Sequence, residues 1–218
     1  MNENFDPVDR TFLFISPVYN IYKPEFLDAT KEVSNDYSSY LCEEQGKQCE
    51  NELYPIQQTY TFHHDKRLTD FTTFISRMSW ELMVSQGYNL DNEQINLNAM
   101  WLQTHYKMSY MTQHTHNYNS HFIGFYVLES SKSSRLIFHD PRPGKVQINL
   151  PEADVKNVSE ASIMVNFDLI PGMFIFTNSW LPHSFSKNID DEPTKVIHFS
   201  MYFSPRQHME EKKGPIII

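Results

Sequence analysis

Three histidines set the chemical question. Gln113-His114-Thr115-His116 places two imidazoles two residues apart, and Pro182-His183-Ser184 supplies a third from much later in the chain. Along an extended backbone, side chains repeat every two residues, so His114 and His116 project from one face of a strand. Two imidazoles on a sheet face, joined by a third from another strand, can make a facial three-point metal site with coordination positions open for substrate, oxygen or water. Imidazole ligation suits iron, zinc, copper and nickel alike, so ligand type does not choose the metal. His121 and His139 stand in reserve should the register differ. Asp140 is a turn residue by position and the nearest carboxylate that could serve as ligand or outer partner. His63, His64, His105 and His208 fit no partner pattern.

A site of this kind needs rigid strands around it, and the chain supplies them from Ile95 onward. Short runs rich in Phe, Ile, Val and Tyr alternate with turn residues, which is the all-β pattern. The candidate strands are Asn98–Tyr106, Thr112–His116, Phe122–Glu129, Arg135–His139, Lys145–Asn149, Ser162–Asp168, Met173–Asn178, His183–Lys187 and Thr194–Phe203. Ile170-Pro171-Gly172 is a turn that starts a buried strand, after which His183 opens the next one. Met111, Phe125, Phe174 and Phe176 are candidate pocket walls. Before Ile95, Phe12–Tyr19 reads as a strand closed by Pro17. Lys23–Tyr40 reads as a helix with Pro24 in its first turn, and Leu68–Gly87 as a second, with Phe71, Ile75, Met78 and Leu82 at helical spacing and Gly87 as its stop. Cys42–Gln58 reads as a loop. The architecture expected is mainly β: a double-stranded β-helix (jelly roll, cupin-like), with the N-terminal helices packed on one sheet. The chain reads as a single domain over 1–218, with an N-terminal strand and supporting helices over 1–94, the β core over 95–206 and a frayed tail over 207–218.

Composition narrows the partners. A chain of 218 residues with 40% hydrophobic residues can bury a sizeable core. A net charge of −9 opposes a nucleic-acid surface or an anionic membrane surface, both of which need clustered Lys and Arg. No stretch resembles a signal peptide or reaches the ~18 apolar residues of a membrane span, so a cytoplasmic protein is expected. Cys42 and Cys49 have no zinc-site spacing and are expected as free thiols in a reducing compartment. Asn157-Val158-Ser159 matches a glycosylation sequon that would be idle there.

From about Trp101 to Phe203 the chain resembles the iron(II)/2-oxoglutarate-dependent oxygenases, and within them a branch found in bacteria and phages. The resemblance rests on an ordered set: Trp101, His114-Thr115-His116, Gly124-Phe125-Tyr126-Val127-Leu128, Leu136 through Pro143, Pro171 through Phe176, and Pro182-His183. It implies iron(II) held by His114, His116 and His183, 2-oxoglutarate as cosubstrate, and hydroxylation of a small-molecule or peptidyl substrate. The wider family has Asp or Glu where His116 stands, so three neutral imidazoles here leave a divalent ion one charge more positive. The family grips the far carboxylate of 2-oxoglutarate with Arg or Lys, often with Ser two residues on. In the matching strand, His198 takes the cation's place and Ser200 the serine's. Lys195 lies nearby on the opposite parity and reaches a shared site only through a bulge. Tyr126 is a further candidate cofactor contact, with core packing as its other reading. Arg135 or Arg142 could bring a charge from elsewhere. A three-histidine cupin-like metalloenzyme without 2-oxoglutarate, or a non-catalytic binding module on the same fold, remains the alternative.

Overall fold

A computed structural model of the chain describes residues 9–13, 16–45, 55–116, 119–148 and 150–206. The two apolar faces of one strand show how the sequence builds it. β6 (Phe122–Glu129) is buried almost throughout. Phe122, Tyr126 and Leu128 join a core that includes helix residues, whereas Ile123, Phe125 and Val127 join a second core. A strand covered on both faces reads as a continuous apolar run rather than an alternating one.

Seven strands make the larger sheet. They are β1 (Asp9–Leu13), β2 (Ser16–Tyr22), β3 (Ile56–Gln58), β4 (Glu93–His105), β6, β9 (Met173–Asn178) and β11 (Thr194–Pro205). Their order is β1-β2-β9-β6-β11-β4-β3. The smaller sheet contains β5 (Met111–His114), β7 (Arg135–His139), β8 (Met164–Asp168) and β10 (His183–Phe185), in the order β5-β10-β7-β8. Every pairing is antiparallel. The second core, with Phe125, Leu136, Phe138, Ile175, Phe185 and Val196, draws on strands of both sheets. This is the expected double-stranded β-helix.

Helices α1 (Leu27–Gln45) and α2 (Thr69–Ser85) cover the outer face of the larger sheet. Phe71, Phe74, Ile75, Met78 and Leu82 form the buried stripe of α2, at the three- and four-residue steps of an amphipathic helix. A short 3-10 turn, Lys66–Leu68, leads into it, with the Asp65 carboxylate accepting from Arg67 N–H at 3.0 Å. Gly87 follows the helix at φ +98°, the left-handed conformation that ends helices with glycine. Gly172 starts β9 at φ +88°, where a Cβ would also sit 2.9 Å from Pro24 Cα.

Some expectations need correction. Phe12–Tyr19 is not one strand: β1 and β2 pair as a hairpin with Leu13 opposite Ser16. The segment expected as a strand at Lys145–Asn149 holds a 3-10 turn over Lys145–Gln147, capped by Ile148. α1 runs to Gln45, into the segment read as loop. Cys42 is disulfide-bonded rather than a free thiol, because spacing and compartment arguments do not follow the path of the chain, and the cysteines lend no support to a reducing compartment. Among the described residues, no helix is long and apolar enough to cross a membrane. The tail over 207–218 lies outside the described residues.

Candidate metal centre

The site is built where the smaller sheet pairs β10 with β5. His183 opens β10 and stands opposite His114, the last residue of β5. His116 lies two residues past the end of β5 rather than inside a longer strand, and its backbone N–H donates to Ser179 O at 3.0 Å. That bond, not strand periodicity, holds it beside the other two. One potential ligand atom from each of the three rings lies within 4.8 Å of the others. Ring centroids are 4.4 Å apart for His114 and His183, 5.3 Å for His116 and His183, and 5.7 Å for His114 and His116.

The hydrogen bonds decide which nitrogens are free. His183 Nδ1 lies 2.9 Å from Leu181 O, and His114 Nδ1 lies 2.9 Å from Thr112 O. A carbonyl only accepts, so both Nδ1 atoms carry the proton and neutral rings keep their lone pairs on Nε2. This outer bonding fixes tautomer and orientation, as it does for metal-bound histidines generally. His183 Nε2 and His116 Nε2 are buried with no partner among the described residues. Burial, with a contribution from neighbouring His114, pushes His116 down to about 4. Burial is also the main cause that takes His183 down to about 3, against the raising effect of its bond to Leu181. Both rings are therefore neutral at pH 7, the state in which imidazole binds a metal. Orphaned, convergent and unprotonated nitrogens fit a divalent ion. Imidazole–metal bonds of about 2 Å would require the three rings to draw together slightly.

A cavity of about 610 Å³ opens beside this cluster and is lined by His114, His116, Trp101, Gln103, Met111 and His198 among others. Trp101 connects its parts. The indole lies 6.4 Å from the His116 ring and stacks on His198 at 5.3 Å. His198 is 2% exposed and its Nε2 has no partner among the described residues. Burial holds its pKa well below the ordinary histidine value. Phe125 meets both His183 and His198 edge-on, at 5.3 and 5.0 Å, and seals the apolar side.

Other expected site residues lie apart. Ser200 follows His198 on β11 but lines a neighbouring polar hollow with His116, on Trp101's other border. Lys195 pairs with Glu129 at 3.2 Å and lines a different hollow with Cys42 and Thr104. A register shift does occur next to it, between Lys195 and Val196, yet it leaves the ammonium away from the cavity. Tyr126 packs against Phe71 and Phe174 in the helix-facing core and donates to Lys23 O at 2.9 Å. Phe174 and Phe176 belong to that core as well, whereas Met111 lines the cavity. Arg135 pairs with Asp168 at 2.8 Å, and Arg142 holds Asp140 at 2.6 Å. Asp140 is thereby occupied as a partner of Arg142. His139 bonds Ser184 at 2.7 Å, and His121 accepts from Phe203 N–H at 3.2 Å, so both reserve histidines have structural partners. Among the described residues, no Lys, Arg, Asp or Glu lines the cavity. Sequence reasoning missed Gln103 and Ser109 as cavity residues.

No family model matches the chain, and no curated protein matches it. Solved structures do. The epimerase SnoN, in complex with Fe3+, alpha ketoglutarate and nogalamycin RO, superposes with a TM-score of 0.54 at 12% identity, covering 91% of this chain and 88% of that one. A Pseudomonas putida prolyl-4-hydroxylase gives 0.52 at 9% identity over 85% and 92% of the two chains. The viral collagen prolyl hydroxylase vCPH from Paramecium Bursaria Chlorella virus-1, in its 2OG complex, gives 0.50 at 10% identity over 85% and 94%. At such identities the likeness establishes the fold. The chain has the jelly roll seen in iron- and 2-oxoglutarate-dependent oxygenases, in agreement with the resemblance in its sequence, and carries a three-histidine cluster on it.

Proposed function

We propose that this chain is an iron(II)- and 2-oxoglutarate-dependent oxygenase that hydroxylates a small-molecule or peptidyl substrate. The observation that carries the reading is the convergence of three imidazoles, each from a differently held backbone position, beside a cavity large enough for cosubstrate and substrate. His114, His116 and His183 would hold the metal through Nε2. Bound iron with 2-oxoglutarate and dioxygen would supply the oxidising power, releasing succinate and carbon dioxide while one oxygen atom goes to the substrate.

The chain's own residues supply position and dryness. Leu181 O and Thr112 O hold His183 and His114 in the ligating tautomer. Phe125 and Trp101 shield the rings from bulk water. His198 lines the same cavity and would meet the far end of the cosubstrate. The three imidazoles leave the metal more positive than a site with a carboxylate would, which favours anionic ligands such as a 2-oxo acid. The test is succinate release by protein loaded anaerobically with iron(II), then given 2-oxoglutarate and oxygen. Metal-dependent succinate supports the reading, and metal uptake with no succinate, uncoupled or otherwise, contradicts it.

A second reading has one specific observation in its favour. With no cation lining the cavity among the described residues, a three-histidine metalloenzyme that dispenses with 2-oxoglutarate is the alternative. Metal binding without any binding of 2-oxoglutarate would select it.

A further inference from the structure

Among the described residues, the cavity has no charged group of the kind that ordinarily grips a carboxylate, and the polar groups it has instead form an ordered set. β4 presents Trp101, Gln103 and His105 on one face in two-residue steps, beside the β11 face that carries Val196 and His198. Trp101 pairs directly with His198, and Gln103 with Val196. Gln103 and Ser109 line the cavity together with His198. His105 sits behind them, 1% exposed, with its ring stacked on Phe185 at 4.8 Å.

His105 Nε2 lies 2.9 Å from Gln103 Oε1. An amide oxygen only accepts, so His105 donates, and the amide is held with its oxygen committed and its NH2 without a partner among the described residues. His198 Nε2 and Ser109 Oγ are buried without partners there. Buried polar atoms left unsatisfied in residues that line one cavity are costly in the empty protein and repay that cost when a ligand completes them.

We propose that Gln103, oriented by His105, acts with His198 as an uncharged anchor for the far carboxylate of a 2-oxo acid; this rests on the 2-oxoglutarate reading above. Gln103 and His198 are the binding residues, and His105 is a positioning residue. The nearby cations are committed elsewhere: Lys195 to Glu129, Arg135 to Asp168, Arg142 to Asp140 and Lys107 to Asp191. A carboxylate held by neutral donors keeps its hydrogen bonds while losing the guanidinium's charge and fork geometry. Selection for the dicarboxylate therefore depends on the amide's orientation.

The test compares two ligands on manganese(II)-loaded protein by calorimetry. 2-Oxoglutarate has the far carboxylate, and 2-oxobutanoate lacks it. The wild-type protein is expected to prefer 2-oxoglutarate by about tenfold or more, the scale of a hydrogen bond to a charged group. Gln103→Leu should remove most of that preference while leaving 2-oxobutanoate affinity and manganese stoichiometry unchanged. His105→Phe, which keeps the stack on Phe185, should remove part of it, and His105→Gln should restore it by supplying a donor. A preference retained in Gln103→Leu, or both acids weakened equally, overturns the anchor alone. Wild-type protein that binds neither acid overturns the 2-oxoglutarate reading and the anchor with it.

Discussion

His183 shows what burial does to a single side chain. It is fully buried, donates through Nδ1 to Leu181 O, and keeps an unshared pair on Nε2 that no described protein group uses. His105 shares the burial without the candidate-ligand role, and burial alone takes its pKa down to about 4. The sign of the resulting pH effect follows directly. A histidine whose folded pKa lies below its unfolded value of about 6.5 binds fewer protons when folded. Its stabilisation is complete above pH 6.5 and is lost as pH falls from there toward 4. Thermal denaturation should therefore show a melting temperature that drops steadily from pH 7 to pH 4.5, with a shallower slope in His105→Phe. A flat profile over that window would contradict the burial argument. At this scale the sequence carried a good deal. The family resemblance put His198 at the site, and parity set Lys195, also offered as a cofactor contact, on the opposite face. The sequence could not show Gln103 as a cavity residue, since an amide on a strand carries no spacing signal until the opposing strand is known.

At the scale of elements, β6, β7 and β9 have the boundaries that their apolar runs predict. The helices also fall within a few residues of their periodic stripes. The shortfalls have local causes. β5 ends at His114 because the chain leaves the ladder to bring His116 to Ser179 O, a tertiary bond invisible in Thr112–His116 itself. Lys145–Asn149 alternates like a strand, yet Lys145–Gln147 closes into a 3-10 turn and β8 is the strand that pairs with β7. Gly124 shows how closely a side chain of one strand in the larger sheet lies over the backbone of its neighbour. A Cβ at Gly124 would lie 2.2 Å from the Phe199 ring, within a strand pair that also positions His198 opposite Phe125. Overpacking of this kind costs about 1–3 kcal/mol. Gly124→Ala should lower the melting temperature by several degrees in a thermal unfolding experiment, and an unchanged value would show that Phe199 moves freely. Gly172→Ala should be destabilising for a different reason, because its φ of +88° strains any side chain and the nearest obstacle is backbone of Pro24.

The whole molecule separates support from chemistry. One core, between the helices and the larger sheet, takes Phe71, Tyr126, Phe174 and Phe199; the other, within the β-helix, takes Phe125, Leu136 and Phe185 and borders the histidines. The switch from helical to strand periodicity near Ile95 separated helices from strands but not the two cores, since Phe174 and Phe176, expected as pocket walls, lie in the helix-facing one. The disulfide at Cys42 was not legible, because the sequence position of a cysteine does not show whether it pairs. A ligand that binds only the folded chain stabilises it by mass action, about 2.7 kcal/mol at a hundred times its dissociation constant. Divalent metal should accordingly raise the melting temperature of the wild-type protein and leave that of His183→Ala unmoved. The direct measurement is equilibrium titration with iron(II) under anaerobic conditions, read as bound metal per chain, for the wild-type protein and for His114→Ala, His116→Ala and His183→Ala. The three-histidine centre predicts one ion per wild-type chain and affinity weakened at least tenfold in each folded variant. Wild-type protein that takes up no iron, or variants that bind it as tightly as the wild type, would contradict it.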